Sequence, residues 1–548
     1  MTKFPTCALT LFLVSLHYFS TFAYRQPDDT RPNFIFFHPD TIRATALGTY
    51  GNPISETPNY DRLASQSILF DQAHSQHSQC SPSRCAMITG RYMHILGHRT
   101  QTHLVQSWED NVFSFLKMNN YTNLMLGKND MLSQDSFNSS FTFWTNDIGV
   151  EMGTNAYNYG EAGYYSFASK DDSPSPGNNS AANGDLKAVL LVNDFLLSDP
   201  PEPFMIYLPG VGAHPPYGAP SDYYNKYNAT DICTRSPPKR RNAGDMLPPY
   251  LGPDGIVGYR NITQFNELFF CQLSAIYLGR VAYTDYVLGK LLDGINASPF
   301  SKNTVIIAHS DHGDYQGDYR AVEKWPGGME DALTHVPLLI SVPNGLSNIR
   351  IPDPVMSIDL FPTILELAQV NYTFNYHIQF GVSLVPYLIN GTSPNPHQYV
   401  FSEGGYTNYN EYEPNDPAQA SVYSDPKNMY FPRGNEEVDT PTHIDRVIMM
   451  KNSTAKLVYR PRGVRELYDL TVDPNEQWNV YYNSSYSTLQ QSMTADLLSW
   501  LVLTSDVTPA LEDPRGSPTP PTPPFPWPPI PPSKGKDHTE HSKLRLRK

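Results

Sequence analysis

The chain reads as an α/β protein: a mixed, mostly parallel sheet sandwiched by helices, with a smaller antiparallel β-sheet subdomain towards the C-terminus. Three observations predict this. Apolar runs at Phe34–Phe37, Phe204–Leu208 and Val305–Ala308 each stop abruptly at polar residues, the pattern of strands buried on both faces of a parallel sheet. Stretches with helical spacing lie between them, as parallel crossovers demand. After about residue 385 the style changes to short strand patterns joined by polar turns.

The elements follow in order. "MTKFPTCALTLFLVSLHYFSTFAYRQ" carries Lys3, an apolar run from Ala8 to Phe19, and small residues Thr21 and Ala23 ahead of Tyr24. Residues 1–23 are therefore expected to be a signal peptide, too short and wrongly flanked for a membrane span. Sequons at Asn120, Asn138, Asn178, Asn228, Asn261, Asn296, Asn371, Asn390, Asn452 and Asn483 suit a glycosylated secretory protein. No other stretch approaches bilayer length, so no transmembrane anchor is expected. Extracellular release is the expected fate, with lysosomal delivery sharing the same leader.

The main domain is expected over 24–385. Its first strand runs out at His38-Pro39-Asp40, and "TPNYDRLASQSILF" follows as a helix candidate. "PEPFMIYLPGVGAHPPY" is a second strand leading to His214, and "LSAIYLGRVAYTDYVLGKLLDGI" a long helix with a glycine stop. "NTVIIAHSDHGDY" is a third strand delivering Asp311 and His312. A C-terminal α+β subdomain over 386–512 takes its strands from "RVIMMKNSTAKLVYRPRGVRELYDL" and its helix from "STLQQSMTADLLSWLVL". Residues 513–548 form a proline-rich tail with a basic end, expected to be disordered.

With a formal charge of −15, nucleic acid is not an expected partner. In open α/β sheets ligands bind beyond the carboxyl ends of the strands, where Asp40, His214, Asp311 and His312 fall. Hard oxygen ligands from separate strand ends can assemble a divalent-cation site. Without its leader the chain keeps Cys80, Cys85, Cys233 and Cys271, which allow three pairings that sequence does not choose between. In "QCSPSRCAMITGRY" a disulfide, a metal ligand and a catalytic residue all stand open. His74 and His77 are expected on a helix surface or behind the site. His98, Arg99 and His103 of "GHRTQTH" either line a pocket or anchor loop carbonyls, and "PPKRR" at 237–241 reads as a charged surface loop.

"CSPSR" matches the C-x-P-S-R signature of the type I sulfatases, in the alkaline phosphatase superfamily. The resemblance spans residues 31–480 and includes "PNFIFFHPDTIRATALGTYG", "TPNYDRLA", "GAHPPY", "SDHGDYQGDYR", "EKWP", "THVPLLI", "SIDLFPTILELA" and "ELYDLTVDPNEQWN". "GHRTQTHL", "GKND" and "DYRAVEKWP" look closest to a subgroup that also holds phosphonate monoester and phosphodiester hydrolases. The resemblance implies an alkaline-phosphatase-like fold and oxidation of Cys80 to formylglycine by the formylglycine-generating enzyme of the secretory route. A hydrated aldehyde offers two geminal hydroxyls. One, ionised by the metal, attacks sulfur to give a covalent sulfo-enzyme; the other collapses it and expels sulfate.

Carried over position by position, Cys80 is the nucleophile and a metal ligand, with Asp40, Asp311 and His312 completing the shell. Arg84 orients the modified side chain, Lys128 and Lys324 hold sulfate oxygens, and His214 donates to the substrate. One divalent cation is implied, calcium first, with manganese or magnesium as alternatives. A nitrogen ligand at His312 gives weight to manganese and also to zinc. With Cys80 committed to this modification, the implied disulfide is Cys233–Cys271, leaving Cys85 a buried thiol. Three departures stand out. His312 stands where many members of the family have Asn, though His also occurs there. Thr41 occupies the place of a second consecutive aspartate, and Asp130 that of the second basic residue of the family's "GKWH".

The expected function is thus a secreted sulfatase acting on a sulfated small molecule or glycan. The alternatives are a phosphonate monoester or phosphodiester hydrolase on the same site, and an inactive sulfatase scaffold serving as a matrix glycoprotein.

Overall fold

A computed structural model describes residues 31–145, 181–240, 248–252, 254–372, 379–406, 420–428 and 430–505. The expected leader, the proline-rich tail and the sequon at Asn178 lie outside the described residues. Eight strands form the main sheet: β1 (Asn33–Phe37), β2 (Ile68–His74), β3 (Thr122–Leu126), β4 (Phe143–Thr145), β5 (Phe204–Leu208), β6 (Thr304–His309), β7 (Leu338–Ser341) and β8 (Ile349–Met356). Their order is β4-β3-β5-β1-β6-β7-β2-β8. Only β7, paired with β6 and β2, runs antiparallel to its neighbours.

The unbroken apolar runs are explained by burial on both faces. Along β1, Ile35 and Phe37 join one core with Ile206, Leu208 and the long helix Glu267–Ala297. Phe34 and Phe36 point the other way, into a second core with Met205, Val305, Ile307 and the helix Leu360–Leu367. Period-two alternation still operates, but with both faces apolar it leaves no trace in the sequence. The long helix starts where Asn266 accepts a hydrogen bond from the Phe269 amide at 3.2 Å. Cys271 on that helix is disulfide-bonded to Cys233, as the resemblance implied, while Cys80 and Cys85 are buried free thiols.

One helix candidate overshot. The first helix covers only Pro58–Ala64, and the apolar "ILF" that ended the pattern opens β2. The run is too short to be told from a helical stripe by periodicity, and burial in the sheet decides it.

Beyond the main sheet, β9 (Val400–Gly404), β10 (Val447–Lys451), β11 (Ala455–Tyr459) and β12 (Glu466–Asp469) form an antiparallel sheet in the order β12-β11-β10-β9. It joins the main body through a third core, where Trp500 of the helix Ser487–Thr504 stacks on Phe401 at 4.3 Å and meets Tyr92 edge-on. A buried ion cluster reinforces the seam. Asp331 pairs with Lys451 and, at 3.1 Å, with Lys456, which also reaches Glu476 at 2.8 Å. No described helix is long and apolar enough to cross a membrane.

Several histidines are buried in this framework. His74 closes β2 and stacks on His335 at 5.2 Å, and His77 accepts the Gln79 amide proton at Nδ1. Both are interior residues, not helix-surface ones. Beneath the strand ends, His38 and His309 lie 3.3 Å apart. Burial holds all five rings below the usual 6.5, His77 and His309 to about 3 and His335 to about 4. Each ring stays neutral in the fold but takes a proton freely once unfolded. Its contribution is therefore intact above pH 6.5 and is lost, at about 1.4 kcal/mol per pH unit, as the pH falls towards the folded value. Glu436, Asp285 and Asp314, raised by burial to about 7, about 6 and about 6, act in the opposite sense but are outnumbered by the five rings. The melting temperature should accordingly fall between about pH 7 and about pH 5 in calorimetry. A flat profile would show that these rings are not held neutral.

Candidate active site

The four strands β3, β5, β1 and β6 are adjacent and parallel, so their carboxyl ends open on one edge. Asp40 follows β1, Asp311 and His312 follow β6, His214 lies beyond β5, and Lys128 follows β3. Cys80 is the first residue of the buried helix Cys80–Thr89, so the helix N-terminus points at the same place. Two glycines permit the close approach. A Cβ at Gly212 would sit 2.5 Å from the Asp40 carbonyl, and one at Gly127 would sit 2.4 Å from the Pro209 carbonyl. Both also adopt left-handed backbone, open to glycine without strain.

Arg84, one turn into the helix, uses all three guanidinium nitrogens inward. Nε donates to Asp311 at 2.8 Å, Nη2 to Asp40 at 3.1 Å and Nη1 to the Tyr207 hydroxyl at 3.3 Å. Its fork thus grips the two carboxylates. Asp311 also accepts from the amides of Thr41 at 3.1 Å and His312 at 2.9 Å. Thr41 is left-handed, with φ of 64°, costly for a β-branched residue. Its amide bond to Asp311, its hydroxyl bond to Asp40, and a hydrogen bond from Tyr277 to its carbonyl hold it there. The residue replacing the family's second aspartate therefore fixes the first.

Ligand atoms of Asp40, Cys80, Asp311 and His312 lie within 4.8 Å of one another, and all four residues are buried. His312 Nδ1 lies 2.8 Å from the Gly313 carbonyl and so carries the proton, leaving Nε2 bare and facing the cluster, 3.1 Å from the Cys80 sulfur. Two carboxylates, a bare imidazole nitrogen and residue 80 are a donor set that fits a divalent cation. Burial opposes ionisation of Asp40, yet Lys128, His214 and Arg84 more than offset it and hold its carboxyl well below the usual range. Burial, with Asp40 beside it, pushes the Cys80 thiol up. An unmodified thiol here is thus a poor nucleophile.

Lys128 bridges Asp40 at 2.8 Å and Asp130 at 2.7 Å. Asp130, absent from the sequence-predicted set, thereby balances part of the charge that faces an anion. Lys324 is buried and, among the described residues, has no hydrogen-bond partner for Nζ; the carboxylate of Glu323 lies 3.6 Å away. His214 is held through its loop. Asp185 accepts from the amides of Val211 and Gly212 at 2.7 and 2.9 Å, and Arg280 braces Asp185 at 3.3 Å. Tyr430, from the far C-terminal region, lies 2.8 Å from His214 Nε2. No motif marked Asp185, Arg280 or Tyr430, because each reaches the site through tertiary packing alone.

His98 bonds the His103 carbonyl at 2.8 Å and Glu109 at 3.2 Å, the loop-anchoring reading. Arg99 pairs with Glu403 at 2.5 Å. Of "PPKRR", the described part is a surface loop tied down by its backbone: Pro237 is exposed and Arg240 pairs with exposed Glu267, while the Lys239 amide donates to Asp318 at 2.6 Å and its carbonyl accepts from Tyr319.

The fold and site together define a hydrolase of the alkaline-phosphatase-like class. The sulfatase family profile matches residues 32–370, and the chain belongs to that family, as a sulfuric ester hydrolase. It is 25% identical over 364 residues to the uncharacterized sulfatase YidJ of Escherichia coli K12, covering 62% of this chain and 68% of that protein. It is 24% identical over 418 residues to arylsulfatase K of Danio rerio, covering 68% and 71%. The phosphonate monoester hydrolase of Agrobacterium radiobacter superposes with a TM-score of 0.67 at 18% identity, covering 86% of this chain and 96% of that one.

If Asp130 shares Lys128 with Asp40, Asp130→Asn should tighten competitive inhibition by inorganic sulfate roughly two- to fivefold, the worth of a partly exposed ion pair. An unchanged inhibition constant for aryl sulfate hydrolysis would show that Lys128 does not face the anion.

Proposed function

We propose that the chain is a secreted sulfatase whose nucleophile is formylglycine made from Cys80, acting on a sulfated small molecule or glycan. The observation that carries this reading is the seat of Cys80: the first residue of a helix, buried, with its sulfur among two carboxylates and a bare imidazole nitrogen. Oxidised and hydrated, residue 80 would supply two geminal hydroxyls, one to attack sulfur and one to expel sulfate. A divalent cation held by Asp40, Asp311, His312 and residue 80 would lower the pKa of the attacking hydroxyl.

The chain's own residues do the rest. Arg84 keeps both carboxylates aimed at residue 80. Lys128 reaches within 3.9 Å of the Cys80 sulfur, and Lys324, without a hydrogen-bond partner among the described residues, is placed to hold a sulfate oxygen. His214 lines the leaving-group side. We assign the catalytic unit to 24–385 and the α+β subdomain to 386–512. The phosphonate or phosphodiester reading is kept as the second one, favoured by Asp130 in place of a second cation.

Mass spectrometry of the tryptic peptide bearing residue 80, from protein made in a secretory host, should find the aldehyde. The same protein should turn over aryl or sugar sulfates faster than phosphodiesters and phosphonates. An unmodified thiol, with the modifying enzyme present, would remove the nucleophile from this reading.

Secretion has its own support. Of the nine sequon asparagines among the described residues, eight are exposed and Asn452 is half-buried, so each is open to a glycosyltransferase. Peptide-N-glycosidase treatment of secreted protein should lower its mass by several glycans, with deamidation mapping to these sites. A chain secreted without glycans would count against this route.

A further inference from the structure

Cleaving a sulfate ester leaves negative charge on the departing oxygen, which a nearby acid must meet. His214 is the residue the resemblance offers, but its ring is otherwise engaged. Nδ1 lies 2.6 Å from the Pro215 carbonyl, which can only accept, so Nδ1 carries the proton. Burial, with Lys324 and Lys128 nearby, keeps the ring neutral. Nε2 is therefore bare, and at 2.8 Å it accepts from the Tyr430 hydroxyl. The proton this pair can give is the phenolic one.

Tyr430 is built into its position. Its amide donates to Asn428 Oδ1 at 2.9 Å, and it immediately precedes the helix Phe431–Asp439. Two cations flank its ring, Arg433 with its guanidinium 4.8 Å from the centroid and Lys324 with Nζ at 5.9 Å. His214 and Lys324 are each 2% exposed, whereas Tyr430 is half-buried, so it is the member of this group that borders solvent.

We propose that Tyr430 is a catalytic acid, donating its phenolic proton to the leaving-group oxygen, with His214 as the positioning residue that aims the hydroxyl. This rests on the sulfate-ester reading above. Turning about its C–O bond, the hydroxyl passes from Nε2 to the ester oxygen. The S–O bond breaks, its electron pair stays on the leaving oxygen, and that oxygen takes the Tyr430 proton. The phenolate left behind has Lys324 and Arg433 near its ring. Residue 80's oxygen forms the new bond to sulfur. The proton that its second geminal hydroxyl would give up on expelling sulfate restores the phenol, and water, the co-substrate, would re-form the diol. The oxygen leaving an alcohol ester is far more basic than a phenoxide and is the one that needs a proton as the bond breaks. The substrate class that needs such an acid is a sulfated alcohol, as in a sugar sulfate.

The test compares Tyr430→Phe with the wild type on 4-nitrophenyl sulfate and on a sugar O-sulfate, reading kcat/KM, which reports the step that expels the leaving group. The expected result is a loss of about a hundredfold on the sugar sulfate and less than about threefold on the nitrophenyl ester, whose leaving group needs no proton. Retained aryl activity also shows that the variant is folded. An equal loss on both substrates, or none on either, overturns the proposal. A wild type inactive on both would instead sink the sulfatase reading itself, so the two failures are distinguishable.

Discussion

The guanidinium of Arg84, wholly buried, bonds to Asp311 at 2.8 Å and to Asp40 at 3.1 Å, and two carboxylates could not otherwise be carried so close together on neighbouring strand ends. Isolated, each would be driven to protonate by burial. Gripped by one rigid fork, they stay available as ligands, and their spacing is set by the spacing of β1 and β6. The third guanidinium nitrogen continues into a buried chain in which Tyr207 meets His38, His38 meets His309, and His309 meets Ser357. That chain crosses three strands beneath the site, and a fully satisfied buried network of this kind rigidifies what it supports. Removing Arg84 would take from buried Asp311 the guanidinium it pairs with and leave Asp40 to Lys128, which is why its effect on folding and on chemistry cannot be separated.

How much of this was legible depends on whether the signal was local. Asp40, Asp311 and His312 could be placed because each directly follows an apolar strand, and strand ends converge by topology. Cys80 and Arg84 could be named because five consecutive residues carried the signature. Asp185, Arg280 and Tyr430 left no such mark. Asp185 sits in a helix whose pattern is ordinary, Arg280 is one polar residue within a long apolar helix, and Tyr430 lies far along the chain from every other site residue. The "ILF" run before His74 failed for a related reason, since three apolar residues satisfy a helix and a strand equally well.

Charge sets what the site can hold. Asp40, Asp311, Asp130 and Glu323 are formally balanced by Arg84, Lys128, Lys324 and Arg260, so a divalent cation would leave a net excess of two. A sulfate ester is a monoanion, as are a phosphodiester and a phosphonate monoester, and an attacking oxyanion adds one more charge. The excess matches any of these pairs. A phosphate monoester brings two charges of its own and would need a further cation, where this chain has Asp130.

Because charge alone treats these monoanions alike, discrimination falls to the leaving-group side. A sulfate ester carries one organic group and a phosphodiester two, so the second group must find space beside the first. The wall there is made by His214, Lys324 and the Tyr430 ring, with Tyr430 stacked against Arg433. Two cations within reach of the ring centroid, at 4.8 and 5.9 Å, help to hold it in place. A site that admits one organic group beside that wall would favour the sulfate ester, and one that admits two the phosphodiester.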